Sequence, residues 1–257
     1  MGKQIILSVS IVLFNENLIE LTKTIDCFLE LPIQKKLFLI DNTPKNLFQN
    51  KFNHEEIEYI SPGDNIGFGA GHNKIIHKIK GLSKFHLILN PDVIFKSTVL
   101  ANLIIQLEKD ENLSMIAPRV RFPNGLHQYS CRRYPLVSEL FVRRFFLLKR
   151  IFKFKISKGT YRDKNLNEPF FAEYITGCFH LYKTNDFVAL NGFDERYFLY
   201  MEDVDICKKI DELGKKKLYF PQEEIIHVLK QGSSKSIKLF IIHASSAIKY
   251  FLKWGFN

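Results

Sequence analysis

Apolar and polar positions along the first half of the chain fall into blocks of two periods. Residues 6 to 13, ILSVSIVL, form a nearly unbroken apolar run, the pattern of a strand covered on both faces. Leu18, Leu21, Ile25, Phe28 and Leu29 then recur at helical spacing. KKLFLID predicts a second short strand ending at Asp41, and IEYIS a third. Asn42-Thr43-Pro44 and Pro62-Gly63-Asp64 supply turn residues between them. A helix carrying Ile75, Ile76 and Ile79 follows, then a buried strand, FHLILN, stopped by Pro91. Ser97 is placed to cap a helix whose apolar stripe is Leu100, Leu103, Ile104 and Leu107. The order β-α-β-β-α-β-α predicts an α/β sheet with a parallel portion, flanked by helices.

The second half is less regular. Residues 119 to 171 are rich in Arg, Phe and Pro and resist assignment. EYITGCFHLYK predicts a strand, Thr184 to Leu190 a short helix, and residues 202 to 213 a helix with Ile206, Cys207, Ile210 and Leu213 inward, closed by Gly214. KKLYFP and EIIHV read as two short strands. The last helix, from about Ser236, is expected to bury Phe240, Ile241, Ala244, Ile248 and Phe251. Without a repeat or a linker, the chain reads as one domain, 1–257.

Composition adds three constraints. With 257 residues, 46% hydrophobic and 25% charged, the chain can bury one sizeable core. The apolar N-terminal run lacks a small-residue cleavage site and reads as a buried strand rather than a leader, and no stretch is apolar and long enough to span a bilayer. Cys27, Cys131, Cys178 and Cys207 form no CxxC pair, so a reduced, cytoplasmic protein is expected. The net charge of +10 is concentrated: between Glu139 and Asp163 there is no acidic residue, but there are Arg143, Arg144, Lys149, Arg150, Lys153, Lys155, Lys158 and Arg162. Such a segment points to a polyanionic partner. No nucleic-acid-binding motif accompanies it, which argues against a nucleic-acid partner.

In open α/β sheets ligands bind at the carboxyl ends of the strands. Asn15, Asp41 and the Asn90/Asp92 pair each follow a predicted strand, so their side chains should converge on one edge. An acid in Asn90-Pro91-Asp92 can hold a divalent metal that also grips a diphosphate; on its own the tripeptide is also ordinary turn chemistry. Glu202-Asp203-Val204-Asp205 opens a helix behind the aromatic run Tyr197 to Tyr200. A carboxylate there could deprotonate a sugar hydroxyl, and acids in a first helical turn are equally common as dipole partners. His227 ends a strand before Gly232-Ser233-Ser234 and could be a metal ligand or a structural histidine. Asn65 to Asn73, NIGFGAGHN, is a glycine-rich helix entrance suited to a phosphate or nucleotide, or a flexible turn. A nucleotidyltransferase would carry its glycine- and arginine-containing loop after the first strand, where this chain reads LFNENLIE.

In this order the pieces are specific. SVSIVLFN, LIDN, NIGFGAGHN, LILNPDV, ITGCFHLYK, NGFDERYFLYMEDVDICKKI and IIHVLKQGSS run from residue 8 to about 236. Together the sequence resembles the family-2 glycosyltransferases, within them the rhamnosyltransferase-like branch. The resemblance implies a Rossmann-like mixed sheet flanked by helices, the A-type glycosyltransferase fold. It implies an inverting transfer of a sugar, best L-rhamnose from dTDP-rhamnose, to a saccharide acceptor carried on a lipid, in cell-surface polysaccharide synthesis. Asp203 resembles the general base, and Glu202 and Gly177 the acceptor contacts. Asn15, Asp41, Asn65, Gly67, Asn73, Asn90 and Asp92 resemble the contacts to a dTDP- or UDP-sugar, with Asp41 on the pyrimidine. Asp92 and His227 resemble the ligands of Mg2+ or Mn2+. One departure is Asn90, where many members of the family have a first aspartate. The helix N-terminus is expected to keep Asp203 ionised, Tyr197 to Tyr200 to form a sugar-stacking wall, and Asp205 to be the mildest acid to replace. Residues 140 to 158 are expected either to bind the anionic inner face of the cell membrane or to pack as a core helix with a solvated basic face. A nucleotide-sugar-binding protein without catalysis is the alternative reading.

Overall fold

A computed structural model of the chain describes residues 5–44, 48–137, 157–229 and 236–256. The side chains of β1 (Ile5–Leu13) sort by parity, as a pleated strand requires. Leu7, Val9, Ile11 and Leu13 enter one apolar layer, and Val12 the opposite one. Strand β1 pairs in parallel with β2 (Lys35–Asp41) and β4 (Ser83–Leu89), and β2 with β3 (Ile57–Ile60). The first crossover is α1 (Leu18–Leu29), capped by the Asn17 side chain on the amides of Ile19 and Glu20. Two short helices, α2 (Phe68–Asn73) and α3 (Ile76–Ile79), make the second. The two-residue β5 (Val93–Ile94), α4 (Ser97–Lys109) and β6 (Leu113–Arg121) follow. The predicted order holds, with one correction: Ser97 is the first residue of α4, and the cap position is Lys96, which offers no side-chain acceptor.

Beyond β6 come β7 (Cys131–Arg132), β8 (Phe170–Phe171), β9 (Tyr174–Ile175), β10 (Phe179–Lys183), α5 (Thr184–Ala189), α6 (Glu202–Glu212), β11 (Lys216–His227) and α7 (Ile237–Trp254). EYITGCFHLYK is therefore not one strand. A turn divides it, closed by the Cys178 amide on the Thr176 carbonyl. Conversely, KKLYFP and EIIHV are one strand, whose register on β6 slips between Phe220 and Glu224. Pro221 lies inside the slip and has no N–H to give to a ladder.

The sheet runs β3-β2-β1-β4-β10-β6-β11-β5, with β8 also on β11. β10 is antiparallel to both β4 and β6, and β11 is parallel to β6. The carboxyl ends of β1, β2, β4, β6 and β11 and the beginning of β10 consequently share one edge. α1 and α4 fill one face with Leu21, Ile25, Phe28, Leu100, Leu103 and Leu107. α5, α6 and α7 fill the other with Phe187, Ile206, Ile210 and Tyr250. Each such side chain taken from water contributes roughly 1.5–3 kcal/mol. The second face also encloses a polar ladder. Ser8 Oγ and Ser10 Oγ bond the two ring nitrogens of His86, at 2.8 and 3.1 Å, and Ser10 Oγ also meets His72 Nδ1 at 2.7 Å. Burial lowers the pKa of His86 to about 3, so its imidazole is neutral at pH 7.

The last helix starts where expected but is turned about its axis. Its inward residues are Ser246, Ala247, Tyr250 and Phe251, while Ile241 and Ile248 are 60% and 61% exposed. Polar anchors set that rotation. Lys253 Nζ and Trp254 Nε1 both donate to Asp205 Oδ1 at 2.7 Å, and Tyr197 Oη donates to the same oxygen at 3.2 Å. Among the described residues no helix is long and apolar enough to cross a membrane. Most of the basic run, residues 138–156, and Gly232-Ser233-Ser234 lie outside the described residues.

Asp205 is thus fully buried at the centre of a three-donor cluster, and it is not a mild position for stability. Asp205→Ala removes the shared acceptor of Trp254 and Tyr197 and leaves Lys253 on Asp194 alone, and it is expected to lower the unfolding free energy by about 3 kcal/mol. Urea unfolding measures this; a loss under about 1 kcal/mol, the scale of a surface ion pair, would show that the cluster does not hold α7 in place.

Candidate active site

The shared strand edge carries three groups of polar side chains. The first lies at the ends of β1 and β2. Asp41 is buried; its carboxylate accepts the Tyr59 hydroxyl at 2.7 Å and the Thr43 amide at 2.9 Å. Asn15, exposed and left-handed at φ 55°, is fixed by its amide on Thr43 Oγ1 at 2.9 Å. Asn42, which the sequence reading passed over, gives its side-chain amide to the Gly67 carbonyl at 3.0 Å and so ties β2 to the glycine loop. Asn65 Oδ1 accepts the Gly67 amide at 3.1 Å. Gly67 cannot be another residue: its φ is +95°, and a Cβ would stand 2.4 Å from the Phe198 carbonyl oxygen. The glycine loop is thereby seated on the aromatic run. Asn73 is used differently. Both ends of its amide are bound to the backbone of Phe193, at 2.8 and 2.9 Å, and its nitrogen also meets Glu195. It staples α2 to that turn.

The second group is at the ends of β4 and β11. Asp92 and His227 are both buried, with Asp92 Oδ1 3.3 Å from His227 Nε2. Asn90 Nδ2 lies 3.2 Å from the same nitrogen. The Asn-Pro-Asp loop is held from behind by Thr24 Oγ1 on the Pro91 carbonyl at 2.8 Å. Gln128 is the residue missed here. Its Nε2 donates to the His227 carbonyl, so its Oε1 faces His227 Nδ1, at 3.0 Å, as an acceptor. Nδ1 therefore carries a proton, and Nε2 is the nitrogen that faces Asp92. Burial lowers the His227 pKa, but the neighbouring Cys178 and Asp92 outweigh it and raise the value to about 10. Among the described residues no group of three or more His, Cys, Asp or Glu is arranged as a metal cage.

The third group opens α6. Asp203 Oδ2 accepts the Gly177 amide at 3.2 Å, and its Oδ1 the Val204 amide at 2.9 Å. Gly177 leaves room for it: a Cβ would be 3.4 Å from that of Asp203. Burial raises the Asp203 pKa above the ordinary aspartate range, and the two amides and the charge of Arg132 hold the rise back. Desolvation outweighs the helix terminus, which makes Asp203 a stronger base than an exposed aspartate. Glu202 is only 5% exposed, its Oε2 lacks a partner, and burial followed by the charge of Asp203 raises its pKa well above the usual range. Its carboxyl is tucked under α2, where a Cβ on Gly69 would be 3.7 Å from that of Glu202. Tyr197 is core, and Tyr200 packs its ring on His243 with centroids 4.9 Å apart. Of the supposed aromatic wall Phe198 is the exposed ring, at 38%.

The second and third groups are joined. Gly177 holds Asp203, and its neighbour Cys178 accepts the Asn90 amide at 3.0 Å. One turn between β9 and β10 thus ties the Asp203 carboxylate to the loop that carries the buried Asp–His pair. No protein-family model matches the chain. It is 29% identical to Rhamnosyltransferase WbbL of Escherichia coli K12 over 223 residues, 84% of this chain and 81% of that protein. The chain is a glycosyltransferase, similar in sequence to rhamnosyltransferases. A second relative of this transferase, N-acetylglucosaminyl-diphospho-decaprenol L-rhamnosyltransferase of Mycobacterium tuberculosis, is 25% identical over 198 residues. That match covers 73% of this chain and 62% of the mycobacterial one, which is therefore considerably longer. The fold matches the crystal structure of GalNAc-T7 with UDP, GalNAc and Mn2+ with a TM-score of 0.70 at 17% identity, over 96% of the transferase and 48% of GalNAc-T7. The expected A-type architecture is the one observed.

The Gln128 clamp makes a checkable statement. Gln128→Leu leaves the protonated His227 Nδ1 without an acceptor and is expected to lower stability by roughly 1–3 kcal/mol. Gln128→Glu keeps an acceptor and should restore most of it. Thermal unfolding of the two variants decides; equal losses would mean that Gln128 contributes bulk and no hydrogen bond.

Proposed function

We propose that the transferase is inverting, that its donor is a pyrimidine nucleoside diphosphate sugar, best dTDP-L-rhamnose, and that its acceptor is a saccharide on a lipid diphosphate. The reading of the sugar and of the acceptor rests on the names of the two relatives, one of which specifies a decaprenol-linked acceptor. The observation that carries the mechanism is the turn that couples Asp203 to the Asp92–His227 pair.

The pair fits a divalent cation. Two neighbouring ligands of an octahedral Mg2+ or Mn2+, each at about 2.1 Å, stand about 3 Å apart. Asp92 Oδ1 and His227 Nε2 are 3.3 Å apart; Gln128 aims the nitrogen, and a bound cation would take the place of the proton that Asp92 favours there. Two protein ligands leave the other positions to water and phosphate oxygens, which is how Mg2+ is commonly held. Such a cation would neutralise charge on the departing diphosphate. GalNAc-T7, of the same fold, was crystallised with Mn2+. On the donor side Asp41 retains lone pairs for an imide N–H of uracil or thymine, and Asn15, Asn65 and Gly67 lie around it. Asn90, Nδ2 toward His227, supports the pair without adding charge.

Asp203 acts on the acceptor. As the hydroxyl oxygen bonds to the anomeric carbon, the bond from that carbon to phosphate breaks. The hydroxyl proton passes to the Asp203 carboxylate, and the electron pair leaves with the nucleoside diphosphate. One displacement inverts the carbon. The Gly177 and Val204 amides fix the carboxylate's orientation throughout, and neutral Glu202 beside it avoids a second negative charge.

Calorimetry with dTDP and UDP should show binding that requires a divalent cation and is lost on chelation or in Asp92→Ala; equal affinity for purine diphosphates would count against the donor reading. A panel of nucleotide sugars then identifies the sugar. Asp203→Asn should leave donor binding intact and lower turnover by about a hundred- to ten-thousand-fold. In the parent enzyme kcat/KM should rise with pH through a group above the aspartate range of about 3.9, since only the ionised form accepts a proton. That limb should vanish from the residual activity of Asp203→Asn. Near-normal turnover of the variant would sink the mechanism, whereas Glu202→Gln, which mimics a neutral carboxyl, should be the milder change.

A further inference from the structure

The helix that braces the catalytic turn has an outer face that nothing in the described structure covers. On α7, Ile237, Ile241, Ile248 and Leu252 are 78%, 60%, 61% and 71% exposed. At 100° per residue they fall within one narrow stripe, a run of large aliphatic side chains that soluble surfaces seldom present. The composition around the stripe is one-sided. Residues 237–254 contain no acid, and the exposed Lys238 and Lys249 line one flank of the stripe, Lys249 with its ammonium on the Arg196 carbonyl at 2.7 Å. The opposite face of the helix is committed. Ser246 Oγ holds the Leu199 carbonyl at 2.9 Å, His243 packs on Tyr200, and Lys253 and Trp254 hold Asp205. Those contacts straddle Tyr200 and Met201, two successive left-handed residues at φ 67° and 70° that lead directly into Glu202 and Asp203.

We propose that the outer stripe of α7 lies in the interface of an anionic lipid bilayer, the four aliphatic side chains among the acyl chains and the lysines at the headgroups. An apolar stripe with a cationic border and no acid is the chemistry of an interfacial helix, and each lysine near an anionic surface adds to the attraction. A second copy of the chain is the poorer occupant, because self-association would set the same acid-free, lysine-edged face against itself. The assignment deepens the reading of a lipid-linked acceptor. It moves the docking surface from the basic run at 140–158 to the helix that carries the catalytic turn on its inner side. An acceptor anchored in that bilayer would then arrive beside Asp203.

The test separates docking from chemistry. The full chain is co-sedimented with vesicles of phosphatidylcholine alone and with phosphatidylglycerol added, no acceptor being present. Binding is expected only with the anionic lipid and should weaken several-fold between low and high salt. Ile241→Asp combined with Ile248→Asp, both at exposed positions, should lower partitioning at least about tenfold. Donor hydrolysis and the far-UV spectrum should be unchanged in that variant. Undiminished vesicle binding in it would overturn the proposal. So would loss of binding confined to a variant with Arg143, Arg144, Lys149 and Arg150 replaced by Gln. Vesicle-independent dimers, seen by sedimentation and dissolved by the double variant, would assign the stripe to a second copy instead. Should the variant dock normally while the donor panel rejects dTDP-rhamnose, both readings fail separately; docking without rhamnose transfer leaves the surface assigned and only the sugar wrong.

Discussion

Two backbone hydrogen bonds from adjacent residues hold the reacting groups together: the Gly177 amide on Asp203 and the Cys178 carbonyl on the Asn90 amide. Asp203 belongs to α6 on one face of the sheet, and Asn90 to the end of β4 within it. Nothing in the chain order brings them near. The turn does so because β10 enters the sheet backwards, beside β4, and therefore begins where β4 ends. Positional accuracy of this kind depends on rigid supports. Here the supports are short backbone contacts, which change little with side-chain motion. The raised pKa of Asp203 is a by-product of the same packing, since the turn that donates to the carboxylate also removes it from water.

Much of the buried polarity is paired: Asp205 meets Lys253, Trp254 and Tyr197; His86 meets Ser8 and Ser10; His227 meets Gln128 and Asp92. Glu202 Oε2 is among the buried oxygens that have no partner. A buried orphan of this kind costs about 1–3 kcal/mol, and here it lies between the glycine helix and the base. The left-handed Tyr200–Met201 pair adds backbone strain of order 1–3 kcal/mol each at the same place. Strain and an orphaned oxygen concentrate next to Asp203, and α7 is the element that restrains them.

Much of this was legible in the sequence because strand ends are marked by chemistry: an apolar run that stops at Asp41, or at Asn90-Pro91-Asp92, announces both the strand and the edge. Motif order supplied the family. What failed to show were relations set by packing. Gln128 stands in a loop with no period and no motif, and only the fold places it behind His227. Asn73 sits in a glycine-rich motif, yet its amide is consumed by Phe193. The rotation of α7 was misjudged because its apolar residues are more numerous than one face can bury; hydrophobicity alone cannot say which stripe faces inward, whereas the Lys253–Asp205 contact does. The upward shift of the Asp203 pKa was not legible, because a helix terminus is visible in a sequence and desolvation is not.

The reversed β10 also shapes how such an enzyme can diverge. β6 leaves the sheet at Arg121 on the reactive edge, and β10 re-enters from that edge at Phe179. Everything between, residues 122–178, is an excursion whose two ends are both anchored at the site. Within it Gln128, β8 and the Gly177–Cys178 turn are tied to β11, His227, Asp203 and Asn90 and so belong to the fixed frame; the stretches between those anchors can change length or surface without shifting the register of β1, β2 or β4.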